Sequence, residues 1–327
     1  FRAADIPKRL VPGAIALGAF TFTMTALPGT VQIQNMIPMR YFGTTAFAAP
    51  VTGTIAAAMM LGAGLWWLQR RANRARQRGE GYGEGHTCEP AAAIERLPPL
   101  WAALAPIACV LIANYVLSEH VIPRWDPAPL SRPPLGPVSL SDVRGVWATI
   151  IALILAIGVA APLYLRTARS FNGSLTQGAL GSLLPVFNTA SEVGYGKTIA
   201  ALAGFALVKS SLLSVPGSVL ASEAVAVNAL AGITGSASGG LGIALEALGP
   251  TYLQRALEAG ISPDLLHRIA SLSCGGLDTL PHNGAVITLL AICGLSHRQS
   301  YVDVAVVTVI VPVAATALIV AALSVAL

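Results

Sequence analysis

The sequence predicts an all-α integral membrane protein, and three observations carry that reading. Of the 327 residues, 54% are hydrophobic and only 11% are charged, against roughly a quarter charged in a soluble domain. Several uncharged stretches reach the roughly 20 residues that a helix needs to cross the hydrocarbon core. Glycine and proline are abundant, at 32 and 22 residues. Helices packed inside lipid tolerate them because neighbouring helices satisfy the freed backbone groups. The same composition excludes a disordered chain, a collagen-like chain and a soluble cytosolic enzyme.

Uncharged stretches give the elements in order. Leu10–Met39, Tyr41–Gln69, Leu97–Ser118, Gly145–Leu165 and Val304–Leu327 read as spans. Ser170–Ser191, Ala224–Leu245 and Thr279–His297 also lack Lys, Arg, Asp and Glu, but they are dense in Gly, Ser, Thr, Asn and Pro. Between the spans, five arginines fall within Arg70–Arg78, in a loop ending near Pro98. The cytoplasmic side collects such residues, so loop 69–98 is placed inside; a polybasic lipid-headgroup site is the alternative. Residues 123–144 hold six prolines and mixed charge, and read as an extended loop on the opposite face. The span 145–165 then returns inward, where Arg166 and Arg169 fit the same rule.

This divides the chain into 1–68 (spans with a polar break at 25–35), the Arg-rich loop 69–98, a span at 99–122, the Pro-rich loop 123–144 and a second half, 145–327. The net charge of +5 is concentrated in one loop and is not a nucleic-acid footprint. Cys88, Cys109, Cys274 and Cys293 show no C-x-x-C spacing, so neither a disulfide framework nor a zinc site is expected.

Four segments put hydrogen-bonding groups where lipid forbids them: Thr25–Asn35, Phe187–Gly196, Thr234–Gly240 and Cys274–Gly284. Non-helical backbone survives at membrane depth only when buried in protein or facing a watery cavity. A half-helix starting there points its positive end at that cavity, which suits a carboxylate. Helix packing through small residues is the plain alternative, strongest for Gly235–Gly240. Packing does not require carboxylates, however, and intramembrane ionisable residues mark pathways or relays. Glu192, Asp278 and His282 are therefore the proton-coupling candidates, while capping of a half-helix is a compatible role for either carboxylate. Glu223, Lys197 and Lys209 read as snorkelling towards an interface. His267 and His297, beside Arg268 and Arg298, read as interfacial. Leu27-Pro28 and Leu280-Pro281 each sit in a polar interruption, the paired pattern of a secondary transporter's binding site. No P-loop, no G-x-S-x-G elbow and no H-E-x-x-H is present, and no metal site is expected.

The runs Phe187–Gly196 (FNTASEVGYG), Ala231–Leu245 (AGITGSASGGLGIAL) and Gly275–His297 (GGLDTLPHNGAVITLLAICGLSH) resemble the gluconate:H+ symporter (GntP) family of permeases, within the ion transporter superfamily. Leu266–Arg268 and Ser300–Asp303 extend the likeness, and Thr21–Pro38 is similar to a divergent branch of that family. The resemblance implies an inner-membrane carrier built from two inverted repeats, each with a re-entrant hairpin and a broken helix, and a homodimer. It places Asn188, Thr189 and Ser191 at one tip or break, Asp278–Asn283 at another, and Thr25–Asn35 in the first repeat. The amino-terminal part of that repeat is expected upstream of Phe1. ALPGTVQIQN at 26–35 departs from the gluconate permeases' own run, which leaves the identity of the small acid open.

The expected activity is proton-coupled uptake of a small organic anion, a gluconate-like sugar acid or short hydroxy-carboxylate, by alternating access. Asn188, Thr189, Ser191, Gly235, Ser236, Ser238, Thr279, Asn283, Thr30 and Gln32 are the candidate substrate ligands. No cofactor is expected beyond the proton gradient or Na+, and no partner beyond the substrate carboxylate, the bilayer and a second copy. A Na+-coupled carrier, a membrane-embedded enzyme using Asp278 and His282, and a channel are the alternatives.

Overall fold

The structure is a computed structural model and describes residues 1–86, 88, 99–131, 139–164 and 171–326; Arg166 and Arg169 lie outside them. Every regular element among these residues is helical. The first is a broken helix, α1 (Val11–Ala19) and α2 (Phe22–Thr25), then an irregular stretch, then α3 (Ile33–Phe42). Gly43, at φ 65°, ends α3 in the left-handed conformation that glycine adopts without penalty. The long helix α4 (Pro50–Gln77) follows, opened by Pro50, whose missing N–H costs nothing in a first turn.

Helices α5 (Leu100–Val116) and α6 (Leu140–Tyr164) pair along their lengths. Asn114 Nδ2 donates to Thr149 Oγ1 across that pair at 2.8 Å. Their other faces expose Leu104, Ile107, Leu111 and Ile112, and Ile150, Ile154 and Ile157. An apolar outer surface of this kind belongs in lipid. Stretches 50–77, 100–124, 143–163 and 297–325 are each long and apolar enough to cross a membrane.

The second half contains α7 (Phe171–Ala201), α8 (Phe205–Leu213), α9 (Val219–Thr234), α10 (Ala237–Glu258), α11 (Pro263–Cys274), α12 (Gly284–Cys293), α13 (His297–Ala305) and α14 (Val311–Ala326). Sequence sets the ends locally. Ser218 accepts from the Ala221 N–H at the start of α9, and Ser262, followed by Pro263, accepts from the Asp264 N–H at the start of α11. A π turn at Val306–Ile310 joins α13 to α14 within one apolar rod.

α9 and α10 form an antiparallel hairpin: Tyr252 meets Ser222 near its base, and Gly240 lies against Ala231 near its tip. α11 and α3 pack on it around Leu220, Val227, Leu241, Leu245, Leu248, Leu266 and Ile269, all buried. The broken helices α1–α3 and α11–α12 run in opposite directions. Thr44, just past α3, bonds His267 in the first half of α11, whereas Thr25, at the end of α2, lies against Gly275 beyond its last turn.

Candidate functional site

The hairpin tip is a glycine–serine turn. Gly235, at φ 63°, terminates α9, and its N–H bonds the Ala231 carbonyl. Ser236 is extended, and its hydroxyl accepts from the Gly239 N–H at 3.1 Å, capping α10. Behind the tip, a Cβ at Gly240 would overlap the Cα and N of Ala231, so the two arms touch backbone to backbone.

This tip meets the break between α11 and α12. Asn283 Nδ2 donates to the Gly235 carbonyl at 2.7 Å, while its Oδ1 accepts from the Val286 N–H at 2.9 Å and caps α12. One side chain thus fixes the tip to the start of a half-helix. The His282 ring covers Gly235 closely: a Cβ there would stand 2.8 Å from His282 Cδ2. Thr279 Oγ1 donates to Thr308 Oγ1 at 2.7 Å, and Thr308 passes a hydrogen bond to the Val304 carbonyl. Thr308 belongs to the π turn at 306–310, a distortion frequently found at functional sites. Tyr301 OH donates to the Thr279 carbonyl at 3.0 Å, and His297 Nε2 donates to the Pro281 carbonyl at 3.0 Å. Asp278 is 5% exposed, and its Oδ1 has no partner among the described residues.

The first break is held from α11. Arg268, fully buried, donates Nε and Nη2 to the Ala48 carbonyl, Nη2 also to Ala46, and Nη1 to the Ala26 carbonyl and Asn35 Oδ1, over 2.8–3.3 Å. Asn35 Nδ2 donates to the Thr30 and Ala46 carbonyls, both at 2.9 Å. His267 bridges Thr44 Oγ1 (2.6 Å) and Asn35 Oδ1 (3.1 Å). Ser271 donates to the Gln34 carbonyl. Thr30 Oγ1 is buried and unpartnered, and Gln32 is exposed at the N-cap position of α3 without bonding its backbone. Gly275 touches Thr25: a Cβ there would lie 2.7 Å from Thr25 Cγ2.

Three irregular segments, 26–32, 235–236 and 275–283, therefore form one contiguous structure. Two helix N-termini, those of α10 and α12, open onto it with their partial positive charge. Nearer the outer ends of α3 and α11, a cavity of about 280 Å³ is lined by Thr44, Thr45, Glu119, Arg144, Pro263 and Asp264. Among the described residues no three His, Cys, Asp or Glu side chains converge as metal ligands.

At the opposite, basic end, Arg71 Nε donates to the buried Asp303 at 2.7 Å, and Trp67 Nε1 donates to the same Oδ1 at 3.0 Å. Arg9 bonds both oxygens of Glu80 at 2.6 and 2.9 Å. That hydrogen-bonded guanidinium holds the Glu80 carboxyl below the usual carboxylate range.

The chain is 43% identical over 326 residues to a Bacillus subtilis (strain 168) protein named "Uncharacterized transporter YxjC", an alignment covering 95% of this chain and 69% of that protein. The chain belongs to that transporter's family. No family model matches the sequence, and no solved structure matches it. With the helical, lipid-facing architecture, this makes the protein a membrane transporter.

Within the transporter, the predicted residues divide. Gly235, Ser236, His282 and Asn283 come together, with Ser238 3.5 Å from Ser236, and Thr279 joins them through the break it shares with Asn283. The segment Phe187–Gly196 differs from expectation. It runs without interruption inside α7, a helix of 31 residues. None of its residues has the left-handed backbone of a break, and Thr198 returns its hydroxyl to the Gly194 carbonyl within the helix. Asn188, Thr189, Ser191 and Glu192 thus lie on an unbroken helix. Ser191 is exposed, and the side chains of Asn188, Thr189, Glu192, Lys197 and Lys209 fall outside those described.

Two residues read as interfacial, Glu223 and His267, are interior, and so is Arg268 beside His267. Glu223, His267 and Arg268 are each 0% exposed. Adjacency to apolar sequence suggested snorkelling, but each points inward from its helix, and only packing decides which way a side chain on a short helix faces. Thr308, Tyr301 and Asn35 also join the site. Asn35 stood inside the flagged break, whereas Thr308 had no signal beyond being a hydroxyl within an apolar run.

Proposed function

We propose that this transporter moves a small organic anion, a gluconate-like sugar acid or short hydroxy-carboxylate, together with protons by alternating access. The observation that carries the reading is the junction of hairpin tip and half-helix at Gly235 and Asn283. Backbone amides at the starts of α10 and α12 offer partial positive charge to a carboxylate without a fixed cation, and the second N–H of the Asn283 amide and the hydroxyls of Ser236, Ser238 and Thr279, which would exchange their present hydrogen bonds, line the same place. Neutral donors of this kind bind an anion weakly enough to release it on the far side. Thr30 and Gln32 contribute from the first break. Asp278 and His282, a nearly dry acid and an exposed imidazole flanking the same turn, are the groups whose protonation would offset the substrate charge.

The resemblance of the 231–245 and 275–297 runs to gluconate permeases supports the substrate class, and the opposed broken helices α1–α3 and α11–α12 support a two-repeat carrier. The carbonyls freed in the first break are taken by Arg268 and Asn35. Fewer are left for an alkali cation, which favours protons over Na+. On this reading the end bearing the arginines of 70–78 is the cytoplasmic one and the membrane a bacterial inner membrane, which the positive-inside bias supports.

The test is uptake by proteoliposomes of the whole protein under an imposed pH gradient, with labelled gluconate, other sugar acids and lactate. Accumulation that follows the pH gradient and is indifferent to replacing Na+ by choline is expected. Uptake of none of these acids, or uptake requiring Na+ at fixed pH, would overturn the proposal.

A further inference from the structure

Glu223 has no part in the junction, yet it is the most isolated ionisable group of the described chain. Its side chain is 0% exposed, and neither carboxyl oxygen has a hydrogen-bond partner. No salt bridge reaches it among the described residues. An ionised carboxylate buried without partners is far costlier than the neutral acid, so such a group takes up a proton instead.

The surroundings agree. From α10, Tyr252 comes near Glu223, but its hydroxyl is committed to Ser222, with Oγ and carbonyl both at 3.2 Å, and Ser222 Oγ donates in turn to the Leu212 carbonyl at 3.1 Å. From α11, His267 and Arg268 turn the other way, to Thr44, Asn35 and the 46–48 carbonyls, and Asp264 is exposed. α14 carries no ionisable residue, and the side chain of Lys209 on α8 lies outside those described. Arg255, beyond Tyr252 on α10, is exposed, and among the described residues no cation pairs with Glu223.

The position gives this proton a use. Glu223 sits in the second turn of α9, 12 residues before Gly235, so it lies about 18 Å along the same helix from the tip. The α9–α10 hairpin, locked at Gly240 and Ala231, joins the two points as one body. Releasing the proton requires water to reach the base of α9, and hence a loosening of α9 from α10, α11 or α14.

We infer that Glu223 is a binding site of the coupling proton: it is protonated while the hairpin is packed as seen here, and it loses the proton when the hairpin's base opens to water. The inference rests on the proton-coupled reading above and adds Glu223, remote from the junction, to Asp278 and His282 as a carrier of the proton. Binding is stoichiometrically simple, one carboxylate and one proton giving one neutral acid, which offsets one substrate charge.

The test uses the whole protein in proteoliposomes with labelled gluconate or lactate, whichever the wild type accumulates. Glu223→Gln copies the neutral acid. It should keep exchange of internal for external substrate within about twofold while losing gradient-driven accumulation. Its exchange should also be flat with pH, where the wild type falls by about tenfold per unit above the site's own titration. Glu223→Asp should retain accumulation with a displaced pH profile. If Glu223→Gln still accumulates substrate with the wild-type pH profile, the site is elsewhere although proton coupling stands. If the wild type itself ignores the pH gradient, it is the coupling reading that fails. A carbonyl-stretch infrared band from a buried protonated carboxyl, present in wild type at neutral pH and missing from Glu223→Gln, reads the same proton without substrate. Its absence from the wild type overturns the inference, as does a Gln variant that cannot fold beside an Asp variant that can.

Discussion

Replacing Arg268 with methionine tests how the first break is held. The guanidinium fills the space between α11 and the 44–49 loop, and its donors end on the Ala26, Ala46 and Ala48 carbonyls and on Asn35 Oδ1. In the variant, Asn35 Oδ1 keeps His267, and the Ala46 carbonyl keeps the Gly29 N–H and Asn35 Nδ2. The Ala48 carbonyl loses two donors, and the Ala26 carbonyl loses its side-chain donor. A buried acceptor stripped of its partner costs about 1–3 kcal/mol, so two cost about 2–6 kcal/mol. Removing a buried cation returns part of its desolvation cost, but here every arm of the guanidinium is hydrogen-bonded, and the orphaned carbonyls dominate. Thermal or denaturant unfolding in detergent micelles reads the difference. The exposed Arg298→Met is the control and should stay within about 0.5 kcal/mol of wild type. Arg268→Lys should recover only part of the loss, because an ammonium has three donors and no planar fork. An Arg268→Met protein as stable as the control would refute the idea that this side chain organises the break.

Asn283→Ala should cost about 0.5–2 kcal/mol from the lost α12 cap and abolish uptake by freeing the hairpin tip; wild-type transport would separate Asn283 from the site. Gly240→Ala forces the hairpin arms apart and should destabilise by about 1–3 kcal/mol, read as a lowered unfolding midpoint in detergent. Asp303→Asn removes the charged partner of Arg71 and should cost about 1.5–3 kcal/mol, measured by the same unfolding assay; no change would mean the contact is solvated. Glu80, held below the usual carboxylate range by Arg9, contributes stability that is present above that range and lost as pH falls through its lowered folded value. Glu80→Gln should therefore flatten the acid limb of the stability profile slightly, since the pair is partly exposed.

The membrane class was legible throughout. Candidate spans at 50–77, 100–124, 143–163 and 297–325 overlap the uncharged stretches 41–69, 97–118, 145–165 and 304–327, because a run of apolar residues needs no tertiary information to be read. Their ends differ, since α4 continues as helix through Arg70–Gln77, the start of the expected Arg-rich loop. Breaks at 26–32, 235–236 and 275–283 were legible for an equally local reason: Pro28, Gly29, Gly235 and Pro281 cannot sit comfortably in a helix interior. The uncharged stretch Leu10–Met39 contains such a break and is three helices rather than one. The same reasoning misread Phe187–Gly196, where glycines and hydroxyls stay helical. Polar side chains can return hydrogen bonds to their own helix, as Thr198 does to Gly194, so polarity alone does not make a break.

What the sequence determined by itself was therefore chemical and local: a helical chain made for lipid, and the points where helices are interrupted. Tertiary structure alone decided which interruptions touch. It put Thr25 against Gly275 and Asn283 against Gly235, across 250 and 48 residues of chain. It also turned Glu223, His267 and Arg268 inward. Hydrophobic period and turn chemistry act over a few residues, whereas the facing of a charged side chain on a short half-helix is set by whichever distant segment supplies its hydrogen bonds, or supplies none.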